Sequence, residues 1–379
     1  MIFDYETMRL IWWALLGALL IGFAITGGFD LGVGMLLPFL GKNDTERRVI
    51  LNSVGATWEG NQVWFVTAGG ALFAAWPMAY AVAFSGFYFA LLLTLFALFM
   101  RPIGFDYRSK LPSLTWRYNW DKALFVGGFV PSLIFGVAFG NLLMGVPFHF
   151  DNDMRIFYDG TFFGLLNPFS ICAGLLSVSM LAMHGGVYLQ LKTEGDINQR
   201  CKTTVNLFAV LTLVIFAAAG FWVANIDGYH ISSEILPNAA STPLTKMVQK
   251  EPGLWLDNYG HMPLLWLIPA LGFVAGLLTL ILSRADRPGL AFITSSLTLT
   301  SVILTAGVAM FPFLIPSSLA KNCSLTIWDA SSSLATLKIM LLVTVIFLPI
   351  ILAYTSWVFR VMRGKMTIAH IQNNDHSAY

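Results

Sequence analysis

Residues 10–40 read LIWWALLGALLIGFAITGGFDLGVGMLLPFL, with one charged side chain, Asp30. A bilayer crossing needs ~20 consecutive apolar residues, so this run spans a membrane with length to spare. It is not a cleavable signal peptide: its apolar core is too long, Asp4 and Glu6 precede it, and no small-x-small cleavage site follows. Eight further apolar segments follow: Ser53 to Trp76, Met78 to Met100, Ala123 to Leu143, Phe163 to Gly185, Thr204 to Asn225, Pro263 to Ser283, Gly289 to Ile315 and Leu337 to Phe359. Over all 379 residues, 57% are hydrophobic and 11% charged, whereas a soluble domain carries roughly a quarter of its residues as charges. The expectation is an all-α, polytopic integral membrane protein: one membrane domain over 1–379, with nine transmembrane helices packed in bundles. A soluble enzyme is excluded. A net charge of +2 gives no reason to expect nucleic acid as a partner. Cys172, Cys201 and Cys323 lie at no metal-binding or disulfide spacing.

Basic residues orient such proteins, because loops rich in Lys and Arg stay in the cytoplasm. Of the 22 Lys and Arg residues, all but Arg9, Arg155, Lys246, Lys250, Lys321 and Lys338 fall in alternate loops and the C-terminal tail. With nine spans, this bias places the N-terminus outside and the C-terminus in the cytoplasm. The second span is the least regular, because Trp58-Glu59-Gly60-Asn61-Gln62 is polar for lipid. Trp12, Trp13, Trp76, Trp222, Trp255, Trp266 and Trp357 lie near span ends, the pattern of an interfacial belt. Ile226 to Met262, the longest stretch between spans, has room for a small cap.

No nucleotide-binding glycine loop, GxSxG or HExxH is present. Haem held within a span needs an axial ligand from a helix interior. Of His149, His184, His230, His261, His370 and His376, only His184 lies in a span, at its end, where it reads as a hydrogen-bonding group. A haem-binding cytochrome subunit is therefore not supported. What remains is a set of polar residues in apolar surroundings: Asp30, Glu59 and Arg101. Charges inside a membrane usually face protein or a water path. Asp30 and Glu59 both lie ~10–15 Å below the cytoplasmic surface at 1.5 Å per helical residue. Arg101, at the end of the third span, has a side chain long enough to reach them. The group reads either as a structural ion cluster or as the mouth of a proton path, in both cases facing protein. A secondary transporter also uses glycine-interrupted helices and intramembrane carboxylates, but its sites lie near the midplane.

The same residues carry a family resemblance. Gly28-Phe29-Asp30-Leu31-Gly32-Val33-Gly34, Trp58-Glu59-Gly60-Asn61-Gln62-Val63-Trp64, Arg101-Pro102 with Phe105-Asp106-Tyr107-Arg108, Ala138-Phe139-Gly140-Asn141, Phe311-Pro312 through Pro316-Ser317-Ser318, and Ser324 through Asp329 occur in order. Together they resemble subunit II of the bacterial cytochrome bd-type ubiquinol oxidases, over the whole chain and including its Tyr-ended tail. The resemblance implies a complex in the inner membrane that oxidises ubiquinol and reduces O₂ to water with cytoplasmic protons, building a gradient without pumping. It implies haem b and haem d in a partner, subunit I, and no haem or activity on this chain alone. It also implies roles in assembly and in lining a proton route, with some members holding a structural quinone or contacting small single-span subunits, all in contact with membrane lipid. Carried over by position, Asp30, Glu59 and Arg101 are proton-path candidates, and Trp64 is an oxygen-route or packing residue. Gly27 and Thr57 depart from the family pattern, which usually has Asp and often His there. Both departures remove titratable groups beside the candidates.

Overall fold

The structure is a computed structural model and describes residues 3–373. His376 and the terminal Tyr379 lie outside the described residues. The helices are α1 (Tyr5–Leu40), α2 (Asp44–Val54), α3 (Trp58–Ala75), α4 (Pro77–Gly86), α5 (Tyr88–Tyr107), α6 (Leu114–Met144), α7 (Pro168–Lys192), α8 (Gly195–Val223), α9 (Asp257–His261), α10 (Leu267–Arg284), α11 (Pro288–Met310), α12 (Leu334–Val361) and α13 (Ile368–Asn373). Among the described residues, eight helices are long and apolar enough to cross a membrane: α1, α5, α6, α7, α8, α10 with its lead-in from Pro263, α11 and α12.

The ninth expected crossing is α3, which is shorter and more polar than the others. Its two ends fix its course. Near its start, Asn61 Nδ2 donates to Asp30 Oδ2 of α1 at 2.8 Å. At its far end, Ser332 N donates to Ala75 O at 2.8 Å, and Tyr5 OH donates to Ser332 O at 2.6 Å. So α3 runs back along α1, covering roughly 27 Å at 1.5 Å per residue. The expected third span, Met78 to Met100, is corrected. The chain bends at Phe87, so α4 ends among the loops, where a Cβ at Gly86 would sit 3.0 Å from the Tyr158 ring. The inward run begins at Tyr88 and continues to Tyr107. Hydropathy is blind to such a bend because both sides of it are apolar.

The helices define two faces. On one lie α1's start, α12's start and three antiparallel hairpins: β1 (Phe148–Phe150) with β2 (Ile156–Tyr158), β3 (Asp227–Ile231) with β4 (Val248–Pro252), and β5 (Phe313–Ile315) with β6 (Leu325–Thr326). In register, Phe148 faces Tyr158, Tyr229 faces Lys250, and Phe313 faces Thr326. These loops form a packed cap. Val146 N donates to Pro316 O at 2.8 Å. Trp255 Nε1 donates to Leu143 O at 3.0 Å, and Trp12 Nε1 to Leu337 O at 3.0 Å. Arg9 is fully buried there, donating to Ser331 Oγ at 2.8 Å, Ala239 O at 3.1 Å and Ser241 Oγ at 3.0 Å. The interfacial-belt reading is therefore corrected for Trp12, Trp76 and Trp255, which are buried. Each has its indole N–H in a hydrogen bond to the cap or the chain beside it, and such a bond removes the reason to seek water. Trp222, Trp266 and Trp357 stay exposed.

The opposite face carries the basic loops. Here Arg200 pairs with Glu46 at 2.7 Å, and Lys202 with Asp286. Asp121 receives Arg47 at 2.7 Å and Arg108 at 2.6 Å, while Asp44 receives Arg108 at 3.0 Å. These pairs staple the α1–α2, α5–α6 and α7–α8 connections to one another.

The core between the faces depends on close helix approach. A Cβ on Gly32 would fall on the Leu181 carbonyl oxygen and lie 2.9 Å from Gly185 Cα. One on Gly185 would lie 2.6 Å from the Gly32 carbonyl carbon. Backbone meets backbone, as at small-residue contacts between membrane helices. Gly32→Ala must push α1 and α7 apart and is expected to cost about 1–3 kcal/mol, read as a lower melting temperature of the assembled protein. Gly17→Ala, where a Cβ meets nothing within 4 Å, is the control and should not lower it.

Candidate functional site

The site is built where α1, α3, α5 and α6 meet, toward the basic face. Asp30 lies ten residues before the end of α1, ~15 Å from it along the axis, and is 1% exposed. Its Oδ2 accepts from Asn61. Arg101 is 3% exposed and lies inside α5, because the helix continues to Tyr107 rather than stopping at Arg101-Pro102. Its guanidinium carbon is 5.5 Å from the centre of the Trp58 ring, and Trp58 stacks on Phe105 at 5.1 Å. Gly127 of α6 makes room for the Arg101 stem: a Cβ there would sit 2.8 Å from Arg101 Cγ.

The two buried charges act on one another electrostatically. Among the described residues they form no direct ion pair, and Asp30 Oδ1 and Arg101 Nη2 are each buried without a hydrogen-bond partner. Buried polar atoms are costly to leave unpaired. Two such atoms of opposite charge, close enough to interact yet not in direct contact, are of the kind that a buried water satisfies.

Glu59 does not join them. It is exposed on the far side of α3 from Asn61, so the expected trio is a pair with a separate carboxylate. Gly60, Val63 and Val66 share its exposed face. Trp64 lies flat against α1: a Cβ on Gly22 would be 2.7 Å from its ring. At Gly27 a Cβ would meet only the ring of Phe23, at 2.5 Å for Cε2 and 2.7 Å for Cδ2. Thr57 turns its hydroxyl to Val54 O at 3.3 Å.

His184 lies deeper than the sequence suggests, because α7 continues to Lys192. Its Nδ1 shares a hydrogen bond with Ser295 Oγ at 2.8 Å and its Nε2 with Ile25 O at 2.9 Å. Both ring nitrogens are engaged, so His184 is the hydrogen-bonding group expected and does not fit an axial haem ligand. His149, His230 and His261 lie on the loop face, where they engage Asp159, Asp257 and the Asp257 carbonyl. Among the described residues, no three His, Cys, Asp or Glu side chains come together as a metal site.

Between this site and the loop face lies an apolar cavity of about 1490 Å³, lined by α1, α3, α6, α7, α8 and α11, with Phe23, Phe65, Phe135 and Phe216 in its wall. No motif in the sequence marks the ion network around Asp121. Its one sequence signal is an acidic residue within an otherwise basic loop, Trp120-Asp121-Lys122.

Eight to nine apolar helices that bury an Asp and an Arg near one face define a polytopic helical membrane protein. Residues 8–362 match the family described as cytochrome bd terminal oxidase subunit II. The chain is 56% identical over 377 residues to cytochrome bd-I ubiquinol oxidase subunit 2 of Escherichia coli K12, covering 99% of this chain and 100% of that one. It is 51% identical over 376 residues to the probable cytochrome oxidase subunit 2 of Haemophilus influenzae, covering 99% and 100%. With cytochrome bd ubiquinol oxidase subunit 2 of Bacillus subtilis the identity is 30% over 361 residues, covering 94% and 96%. A chain of the bd oxidase structure from Geobacillus thermodenitrificans shares the fold, with a TM-score of 0.68 at 16% identity, covering 94% of this chain and 98% of that one. The chain belongs to the cytochrome bd terminal oxidase subunit II family. It is thus a multi-pass inner-membrane subunit of a bacterial terminal oxidase complex that contains haem and a subunit I. The transporter reading falls with this match.

Proposed function

We propose that this chain is the haem-free half of a ubiquinol:O₂ oxidoreductase, that haem b and haem d sit in subunit I, and that Asp30, Asn61 and Arg101 line a proton route from the basic face. That face is the cytoplasmic one, with the N-terminus outside and the C-terminus inside, as the Lys and Arg bias requires. The observation that carries the reading is the pair of buried, oppositely charged side chains, each of which keeps one buried polar atom without a hydrogen-bond partner. A dry structural pair would close into contact, because desolvating two charges is recovered only at good geometry. Held apart, the pair suits a water that takes and gives a proton.

Glu59 fits the same scheme from the other side of α3. An exposed carboxylate beside Val63 and Val66 is unfavourable against lipid, so this face belongs against subunit I, where Glu59 passes protons across the boundary. α12 has only Leu337 buried along Leu334–Val361, leaving its flanks for the same subunit, for lipid or for a small single-span subunit. Trp64 serves as packing against Gly22 rather than as an oxygen gate. The apolar cavity suits the polyprenyl tail of a structural quinone.

The test is turnover against haem content in the assembled complex. Asp30→Asn and Glu59→Gln should each slow quinol oxidation several-fold while the haem spectrum stays intact. Loss of haem from either variant would mark a structural role, and full turnover in both would remove the route.

A further inference from the structure

A second cavity, of about 400 Å³, opens on the basic face between α1, α7, α11 and α12. Its interior is aromatic, with Phe29, Phe292 and Phe359, and its mouth carries Lys192, Arg363 and Lys365. Phe29 lies eleven residues before the end of α1, so the slot reaches roughly 16 Å inward from that face. The mouth is held in shape. Lys192 Nζ donates to Met362 O at 2.7 Å, and Met366 N donates to Lys192 O at 2.8 Å. Between them Gly364 takes φ +135, a left-handed conformation that favours glycine. It bends the segment so that Arg363 and Lys365 stand beside Lys192.

Several cations of this face, Arg47, Arg108, Arg117, Arg200 and Lys202, are paired with carboxylates. Among the described residues, Lys192, Arg363 and Lys365 pair with none, and no acidic side chain lines the slot. Three cations at the membrane surface above an apolar slot directed into the bilayer complement one kind of molecule: an amphiphile with an anionic head and a hydrocarbon tail. Basic pockets between membrane helices on such a face bind anionic lipid headgroups. A free phosphate would use the rim and leave the aromatic slot unexplained, and a neutral lipid would leave the cations unexplained.

We propose that this slot is a binding site for an anionic phospholipid, its headgroup phosphate held by Lys192, Arg363 and Lys365 and one acyl chain lying between Phe29, Phe292 and Phe359. The lipid wedges α12 against α1 and α7, where the protein's own packing on α12 is sparse.

The test uses the whole purified oxidase complex in phosphatidylcholine vesicles doped with phosphatidylglycerol bearing a diazirine on its acyl chain. Cross-linked peptides, identified by mass spectrometry, should contain Phe292 or Phe359. Arg363→Gln with Lys365→Gln should cut this labelling by about fivefold for each charge removed. Thr26→Phe, which fills the slot without altering charge, should also cut it, with haem content and melting temperature confirming that each variant is folded. Diazirine-labelled phosphatidylcholine should label the slot weakly and ignore the charge variant. Equal labelling by both lipids, or labelling undiminished in the charge variant, overturns the proposal. So does protection of the rim lysines by inorganic phosphate with no acyl cross-link in the slot, which would make the site one for a free anion.

Discussion

Replacing Asp121 with Ala should leave little assembled protein. The carboxylate of Asp121 is fully buried and accepts from two guanidiniums, Arg47 Nη1 at 2.7 Å, and Arg108 Nε at 2.6 Å and Nη2 at 3.2 Å. Arg108 is itself 1% exposed and cannot swing to water without leaving the core. Removing one partner of a buried pair costs about 3–5 kcal/mol, because the remaining charge stays desolvated. Here one substitution leaves Arg108 with only the half-buried Asp44, at 3.0 Å, and frees Arg47, which also holds Gly41 O at 2.9 Å and so shapes the turn after α1. The measurement is yield and melting temperature of the complex extracted from membranes. Asp153→Ala is the comparison: its pair with Arg155 spans 3.7 Å between side chains that are about three-quarters exposed, and exposed pairs contribute about 0–1 kcal/mol. If Asp121→Ala melts no lower than Asp153→Ala, the network does not hold the basic face together.

That network shows what a sequence hides. Spans are legible residue by residue, because transfer to lipid depends on local composition, and the helices lie close to where hydropathy puts them. The exceptions have physical causes. The bend at Phe87 separates two apolar stretches that hydropathy joins, and α6 begins at Leu114, well before the apolar run. The apolar run ends at Met100, so the sequence puts Arg101 and Pro102 at a span end, although α5 continues to Tyr107. A proline removes one backbone donor but does not stop a helix whose neighbours supply packing. Glu59 and Asn61 look like one polar cluster in the sequence, yet two helical residues differ by about 200° in direction. Asn61 therefore turns inward to Asp30 and Glu59 outward. Asp44 and Arg47 come from the α1–α2 connection and Arg108 and Asp121 from either side of the α5–α6 connection, and no local pattern marks their meeting.

The same geometry predicts an asymmetry within the Asp30–Arg101 pair. Arg101→Leu should damage assembly far more than Asp30→Asn. Without Arg101 the Asp30 carboxylate is left ~15 Å from the end of its helix with Asn61 as its one hydrogen-bond partner among the described residues, and its short side chain cannot reach water. An uncompensated buried charge of this kind costs about 3–5 kcal/mol. Without Asp30 the guanidinium has alternatives: it already lies over Trp58, and Arg101 is six residues from the end of α5, ~9 Å, within reach of the surface by its flexible stem. Arg101→Leu should therefore lower haem content and yield together. The double variant, Arg101→Leu with Asp30→Asn, carries neither charge and should regain assembly, because two neutral groups cost less than one orphaned ion. Its turnover should stay low, since the pair then offers no titrating group. Recovery of assembly with full quinol oxidation in the double variant would show that the pair only holds the helices. Normal assembly of Arg101→Leu alone would show that Asp30 does not depend on it at all.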